Sequence, residues 1–176
     1  IRDQVPDTSP FSLSLYFSLA PLSFILYPVE NGTKRGHCRI AKKLGAGGMG
    51  EVYLADDGKL GRKVAIKFLN DEFSRDADKL RRFVQEAQAA SALNHPNIIT
   101  VYEAGYDDRL QCSYIAMEYL PGQRLDEKIS AGPVPIDAAI NLLYEIAVAI
   151  DYAHQQKVIH RDLKPQNICL TPAGMI

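Results

Sequence analysis

The spacing of apolar residues turns from mainly strand-like to helical at Pro121-Gly122, and no other feature constrains the fold as strongly. Before that point, segments at 39–44, 51–55, 63–69, 98–106 and 112–120 read as strands, separated by turns rich in glycine, aspartate and asparagine. One helix interrupts them. From 76 to 93 the residues Leu80, Phe83, Val84, Ala87, Ala90 and Leu93 recur at helical spacing. Pro96 then ends the run, because proline disfavours helical geometry in the residue before it. After Gly122 the pattern is helical, with a short segment at 125–130 and a long one at 135–156 that accepts Pro135 in its first turn. The long segment places Ile136, Ala139, Ile140, Leu143, Ile146, Ala147, Ile150 and Ala153 on one face. The expectation is an α+β chain: five strands and one helix, then a helical region that has barely begun. No internal repeat appears.

Composition narrows the function classes. The 176 residues carry a formal charge of −1, so no basic excess exists to neutralise phosphates, and nucleic acid is not an expected partner. Cys38, Cys112 and Cys169 are far apart and form no C-x-x-C pair or His/Cys cluster that would suggest zinc. A reducing, cytoplasmic setting follows. Residues 1–36 differ from the rest and read as an extension, disordered or weakly hydrophobic. Within it, the twenty residues 10–29 carry no charge, a length that spans a bilayer as a helix. Pro21 and four serines (Ser12, Ser14, Ser18, Ser23) argue against such a helix, and membrane association stays open as the alternative.

Several short stretches carry chemistry. Gly45-Ala46-Gly47-Gly48-Met49-Gly50-Glu51-Val52 fits G-x-G-x-x-G-x-V, in which glycines let backbone N–H groups approach phosphates unobstructed. A ligand-free hairpin and a dinucleotide site would look similar. The dinucleotide reading, however, needs a helix directly after the last glycine, and here a strand follows. Val64-Ala65-Ile66-Lys67 sets a lysine among apolar strand residues, where an ordinary solvated lysine is the plain alternative. Glu86, nineteen residues on within the helix, is the candidate partner that would aim the ammonium at phosphates; Glu72 and Glu103 lie outside that helix. Met117-Glu118-Tyr119-Leu120-Pro121-Gly122 is equally well explained as a strand end and turn. His160-Arg161-Asp162-Leu163-Lys164-Pro165-Gln166-Asn167 puts an acid, a lysine and an amide on one loop, a set suited to a hydroxyl, a phosphate and a metal ion. His95 and His154 have no partner spaced for metal or nucleophilic work and read as structural.

In order and spacing, the glycine run, Lys67, Glu86 and the loop from His160 to Asn167 resemble the protein kinase family, in its bacterial, eukaryotic-type serine/threonine branch. The resemblance covers residues 38–176. It implies a kinase-like α+β fold, with a five-stranded antiparallel N-lobe and one helix at 37–120, then the start of a helical C-lobe at 121–176. It implies ATP and Mg²⁺ as cofactors and a protein bearing a Ser/Thr hydroxyl as the phosphoryl acceptor. Asp162 would orient the hydroxyl or take its proton, Lys164 would neutralise charge on the transferring group, and Asn167 would bind Mg²⁺. Arg161 would await an anionic activation-loop group. The nucleotide would lie against Leu44, the glycine run with Ala46, Met49, Glu51 and Val52, then Ala65, Lys67, Glu86 and Met117. Backbone groups of Glu118 and Leu120 would meet its adenine edge. Asp-Phe-Gly and Ala-Pro-Glu are absent from the 176 residues, and the first normally supplies the main Mg²⁺ ligand. The expectation is therefore a partial domain with negligible transfer by itself. The alternative is an inactive nucleotide-binding or protein-interaction fragment.

Overall fold

A computed structural model describes residues 12–15, 30–35, 37–47, 50–69, 77–109 and 111–171. These form two compact units. Of the described residues, the sheet unit holds those from 30 to 94 and 99–119; the helical unit holds 12–15, 95–98 and those from 120 to 171.

The sheet unit is built on β2 (Lys34–Arg35), β3 (Cys38–Gly47), β4 (Gly50–Asp57), β5 (Arg62–Leu69), β6 (Val101–Asp107) and β7 (Cys112–Glu118), with α1 (Ala77–Ser91) between β5 and β6. All neighbours are antiparallel in the order β2-β3-β4-β5-β7-β6. The five strands legible in the sequence are present, and the two-residue β2 adds a sixth that is too short to leave a periodic trace. Strand alternation divides the sheet into two faces. Ile40, Tyr53, Ala55, Val64, Ile66, Phe68 and Ala116 point to one of them and form the core with Cys38 and Cys112. Phe68 anchors that core, its ring edge-on to Tyr53 with centroids 5.7 Å apart and tilted against Tyr114 at 6.4 Å. Helix α1 lies against β6, and its Phe83, Ala87 and Ala90 are buried as their spacing predicts, while Val84 is exposed.

Where β4 turns into β5, the buried Asp57 organises the chain. Its Oδ1 accepts the N–H groups of Lys59 and Leu60, each at 3.0 Å, and the Arg62 guanidinium lies beside Oδ2. Burial pushes the Asp57 carboxyl up. The Leu60 and Lys59 N–H groups, with His37 and Arg62, outweigh that and hold it below its usual range. Burial, followed by the nearby Asp57 charge, pushes the Cys38 thiol up.

The helical unit contains β1 (Ser12–Leu15), β8 (Gln123–Arg124), α2 (Leu125–Ala131), α3 (Ile136–Gln155), a 3₁₀ turn at Pro165–Asn167 and β9 (Ile168–Thr171). Strands β1 and β8 flank β9, both antiparallel. The segment 95–98 joins this unit, although the sequence reading starts a strand of the sheet at Ile98. The reason is local: the His95 ring lies 5.1 Å from Tyr152, and Asn97 Nδ2 donates to Glu145 Oε2 at 3.3 Å.

The buried side of α3 differs from the expected stripe. Ile146, Ala149 and Ala153 are buried, but Ile136, Ile140 and Leu143 are 72, 56 and 64% exposed. Because α3 is apolar on more than one side, periodicity did not identify which side packs. Among the described residues no helix is long and apolar enough to cross a membrane, and most of residues 10–29 lies outside them.

Candidate functional site

In the sheet unit, cross-strand register gathers residues that are distant in sequence. Val52 pairs with Lys67 between β4 and β5, and Ala65 pairs with Met117 between β5 and β7. Lys67 and Ala65 are two apart on β5, so Val52, Ala65, Lys67 and Met117 share the face opposite the core. Leu54 and Ile115 fall on the same face by the same register. Sequence reasoning missed those two, because alternation shows which residues alternate within a strand but not which residues meet across strands.

The glycine turn closes with Gly47 opposite Gly50; Gly48 and Met49, both expected in the site, lie outside the described residues. Its glycines serve different purposes. A Cβ on Gly50 would sit 1.7 Å from the Phe68 carbonyl oxygen, and its φ is +147°. Packing alone demands glycine there. Around Gly45 and Gly47 a Cβ would meet nothing within 4 Å. Neither crowding within the protein nor a left-handed φ accounts for them, which fits backbone left bare for an approaching phosphate. Leu44 and Ala46 are exposed beside them on β3. Glu51, opposite Ala46, is occupied within the ribbon, paired with Lys43 and accepting from the Tyr53 hydroxyl at 2.5 Å. Burial pushes its carboxyl up, but the hydrogen bonds from Lys43 and Tyr53 and the Lys43 charge win and hold it down.

Glu86 stands on α1 at the margin of the buried stripe, exposed, and among the described residues no ion pair joins it to Lys67. At the end of β7 the Glu118 N–H donates to the Thr100 carbonyl at 2.9 Å, and the Glu118 carboxylate accepts the Thr100 N–H at 3.3 Å. An adenine edge at Glu118 would therefore have to use the carbonyl. Leu120 follows, partly buried, at the start of the helical unit.

In that unit the loop before β9 brings its three candidates together. Lys164 Nζ lies 2.7 Å from Asp162 Oδ2, and Asn167 Nδ2 donates to the same oxygen at 3.2 Å and to the Asp162 carbonyl at 2.7 Å. The short 3₁₀ turn sets this spacing, with the Asn167 N–H donating to the Lys164 carbonyl at 2.9 Å. His160, 5% exposed, anchors the other end: its carbonyl and Nδ1 both accept from the Asp162 N–H, at 2.8 and 3.3 Å. Arg161 takes the left-handed φ of +62° needed for the chain to reverse there. With its nitrogen donating to Asp162, the Asn167 amide keeps Oδ1 as an acceptor. An amide oxygen beside a carboxylate is a donor set that suits a hard divalent cation.

Comparisons with known proteins bear on the family and the fold. The family model described as protein kinase domain matches residues 38–176. The chain is 45% identical to the serine/threonine-protein kinase PrkC of Bacillus subtilis over 142 residues, which is 80% of this chain and 22% of that protein. It is 46% identical over 137 residues to the serine/threonine-protein kinase PknJ of Mycobacterium tuberculosis, 77% of this chain and 23% of that one. Among solved structures, the crystal structure of the Mycobacterium tuberculosis PknI kinase domain matches with a TM-score of 0.74 at 30% identity, covering 84% of this chain and 60% of that domain. The chain thus spans under a quarter of the length of these curated relatives. By sequence over most of its length and by fold, the chain belongs to the protein kinase family, among relatives named as bacterial serine/threonine kinases.

Proposed function

We propose that the protein to which this chain belongs transfers the γ-phosphoryl group of Mg²⁺-ATP to serine or threonine hydroxyls of another protein in the cytoplasm. The observation that carries this reading is the hydrogen-bonded trio of Asp162, Lys164 and Asn167 on one loop. Bound Mg²⁺-ATP would supply the transferable phosphoryl group and a divalent charge to offset that of the phosphates. The chain's own residues hold, orient and neutralise. Gly45 and Gly47 offer backbone N–H groups, and Lys67 offers an ammonium from the same sheet. Ala65, Val52 and Met117 give the apolar surface that an adenine ring needs, with the Glu118 carbonyl and Leu120 N–H at its edge. The Asp162 carboxylate receives the hydroxyl proton or fixes its direction, while Lys164 offsets charge on the moving group. Asn167 Oδ1 serves as a metal ligand. Glu86 is assigned the role of Lys67's partner.

Transfer of ³²P from labelled ATP to a serine/threonine peptide tests this directly. Asp162→Asn is expected to lower kcat by about 10²–10⁴-fold with little change in the KM for ATP. Full activity in that variant would refute the reading. The exposure of Glu86, with no ion pair to Lys67 among the described residues, favours a second reading, a nucleotide-binding module without transfer. A thermal shift by Mg²⁺-ATP that disappears in Lys67→Met, in a wild-type protein with no measurable transfer, would decide for it.

A further inference from the structure

The end of the β3–β4 ribbon away from the glycine turn brings three different ligand atoms together. Cys38 and Asp57 are direct cross-strand partners, so their side chains share a face, and they are 7 and 3% exposed. His37 precedes Cys38, with its carbonyl accepting the Gly58 N–H at 2.9 Å and its Nε2 lying 3.4 Å from Asp57 Oδ1. The imidazole nitrogen, the thiol sulfur and a carboxylate oxygen all fall within 4.8 Å of one another. We propose that His37, Cys38 and Asp57 form a site for one thiophilic divalent cation of the zinc class.

Two ligands about 2.05 Å from a tetrahedral ion stand about 3.4 Å apart, so the histidine–aspartate pair is already at coordination spacing. The sulfur has to close by at most roughly 1.3 Å to reach its own bond length, within reach of a side-chain torsion. Three protein ligands leave a fourth position for water, and the half-exposed imidazole gives the ion its way in. The Lys59 and Leu60 N–H groups hold the carboxylate in place, as groups beside a metal ligand commonly do. On binding, the Cys38 thiol gives its proton to solvent and the imidazole binds as the neutral ring. Arg62 is the opposing charge: its Nε lies 3.5 Å from Asp57 Oδ2, while its guanidinium carbon sits 3.6 Å from the centre of the Tyr102 ring. That neighbour weakens a purely electrostatic site, so the thiolate must supply the affinity. A soft or borderline ion is therefore favoured over Mg²⁺ or Ca²⁺. The site lies roughly 30 Å along β3 from Gly47 and does not depend on the kinase reading.

Titration with Co²⁺ tests the proposal. A sulfur-to-cobalt charge-transfer absorption is expected to saturate at one equivalent and to vanish on addition of Zn²⁺. It should be lost in Cys38→Ser, kept in Cys169→Ser, and weakened at least about tenfold in affinity in His37→Ala. No such absorption in the wild-type protein, or absorption that persists in Cys38→Ser, would overturn the proposal. Should Cys38→Ser fail to fold, the surface variant His37→Ala decides, because unchanged affinity there is equally fatal.

Discussion

The glycines of one short turn separate structural demand from chemical demand. Gly50 combines a φ of +147° with an approach that would put a Cβ 1.7 Å from the Phe68 carbonyl, so Gly50→Ala must displace β4 from β5. Backbone strain of this kind costs about 1–3 kcal/mol, and the lost ladder contact adds to it. We expect the urea midpoint to drop measurably in Gly50→Ala with an unchanged slope. Gly47→Ala meets open space, so its stability should stay within about 0.5 kcal/mol of the parent while its affinity for ATP falls. If Gly47→Ala instead destabilised the protein and left nucleotide binding intact, the bare-backbone account of the turn would fail. Arg161 shows the same separation in another form. A non-glycine residue at a φ of +62° is tolerated because His160 and Asp162 over-determine the loop around it.

Stability that depends on pH belongs to the β3–β4–β5 ribbon as a unit. Glu51 and Asp57 both have folded pKa values below their ordinary 4.5 and 3.8, and each owes this to hydrogen bonds made only in the folded ribbon. A depressed folded pKa contributes stability at pH values above the unfolded pKa, and that contribution drains away as pH falls through the folded one. The urea midpoint should therefore hold steady above about pH 5 and decline progressively below it. Asp57→Asn should flatten the most acidic part of that decline, since an amide oxygen can still accept from Lys59 and Leu60. An unaltered acid limb in this variant would exclude Asp57 as a source. Sequence reading works well at this scale where one face packs and poorly where several do. The stripe of α1 was legible because one face packs; the strands of the sheet, of which β5 is buried on both faces, were legible instead as short apolar runs bounded by turn residues. The packed side of α3 was not, because Ile140 and Leu143 are as apolar as Ile146 and Ala149. In the candidate site, Lys67, Asp162, Lys164 and Asn167 were legible from spacing. Leu54 and Ile115 were hidden in strand register, and Asp57 escaped notice because its importance comes from a turn it caps and a cysteine it meets across the ribbon.

Charge and exposed apolar surface together govern how the whole molecule behaves in solution. The formal charge is −1 and the isoelectric point about 6.5, so near neutral pH little net repulsion keeps copies apart. On α3, Ile136, Ile140, Leu143 and Tyr144 are 72, 56, 64 and 71% exposed, and three of them fall at positions four and three apart that line one side of the helix. A contiguous apolar strip on a molecule of net charge near zero favours self-association. Light scattering should therefore rise with concentration, most steeply near pH 6.5. The double variant Ile140→Glu and Leu143→Glu removes the strip and adds two carboxylates. Because both side chains are already exposed, each replacement should alter folding stability by no more than about 0.5 kcal/mol. Scattering should fall sharply across the neutral range with the far-ultraviolet circular dichroism unchanged. Scattering that stayed as high in the double variant would locate the sticky surface elsewhere. Unfolding of that variant would mean instead that the α3 strip is packed in solution.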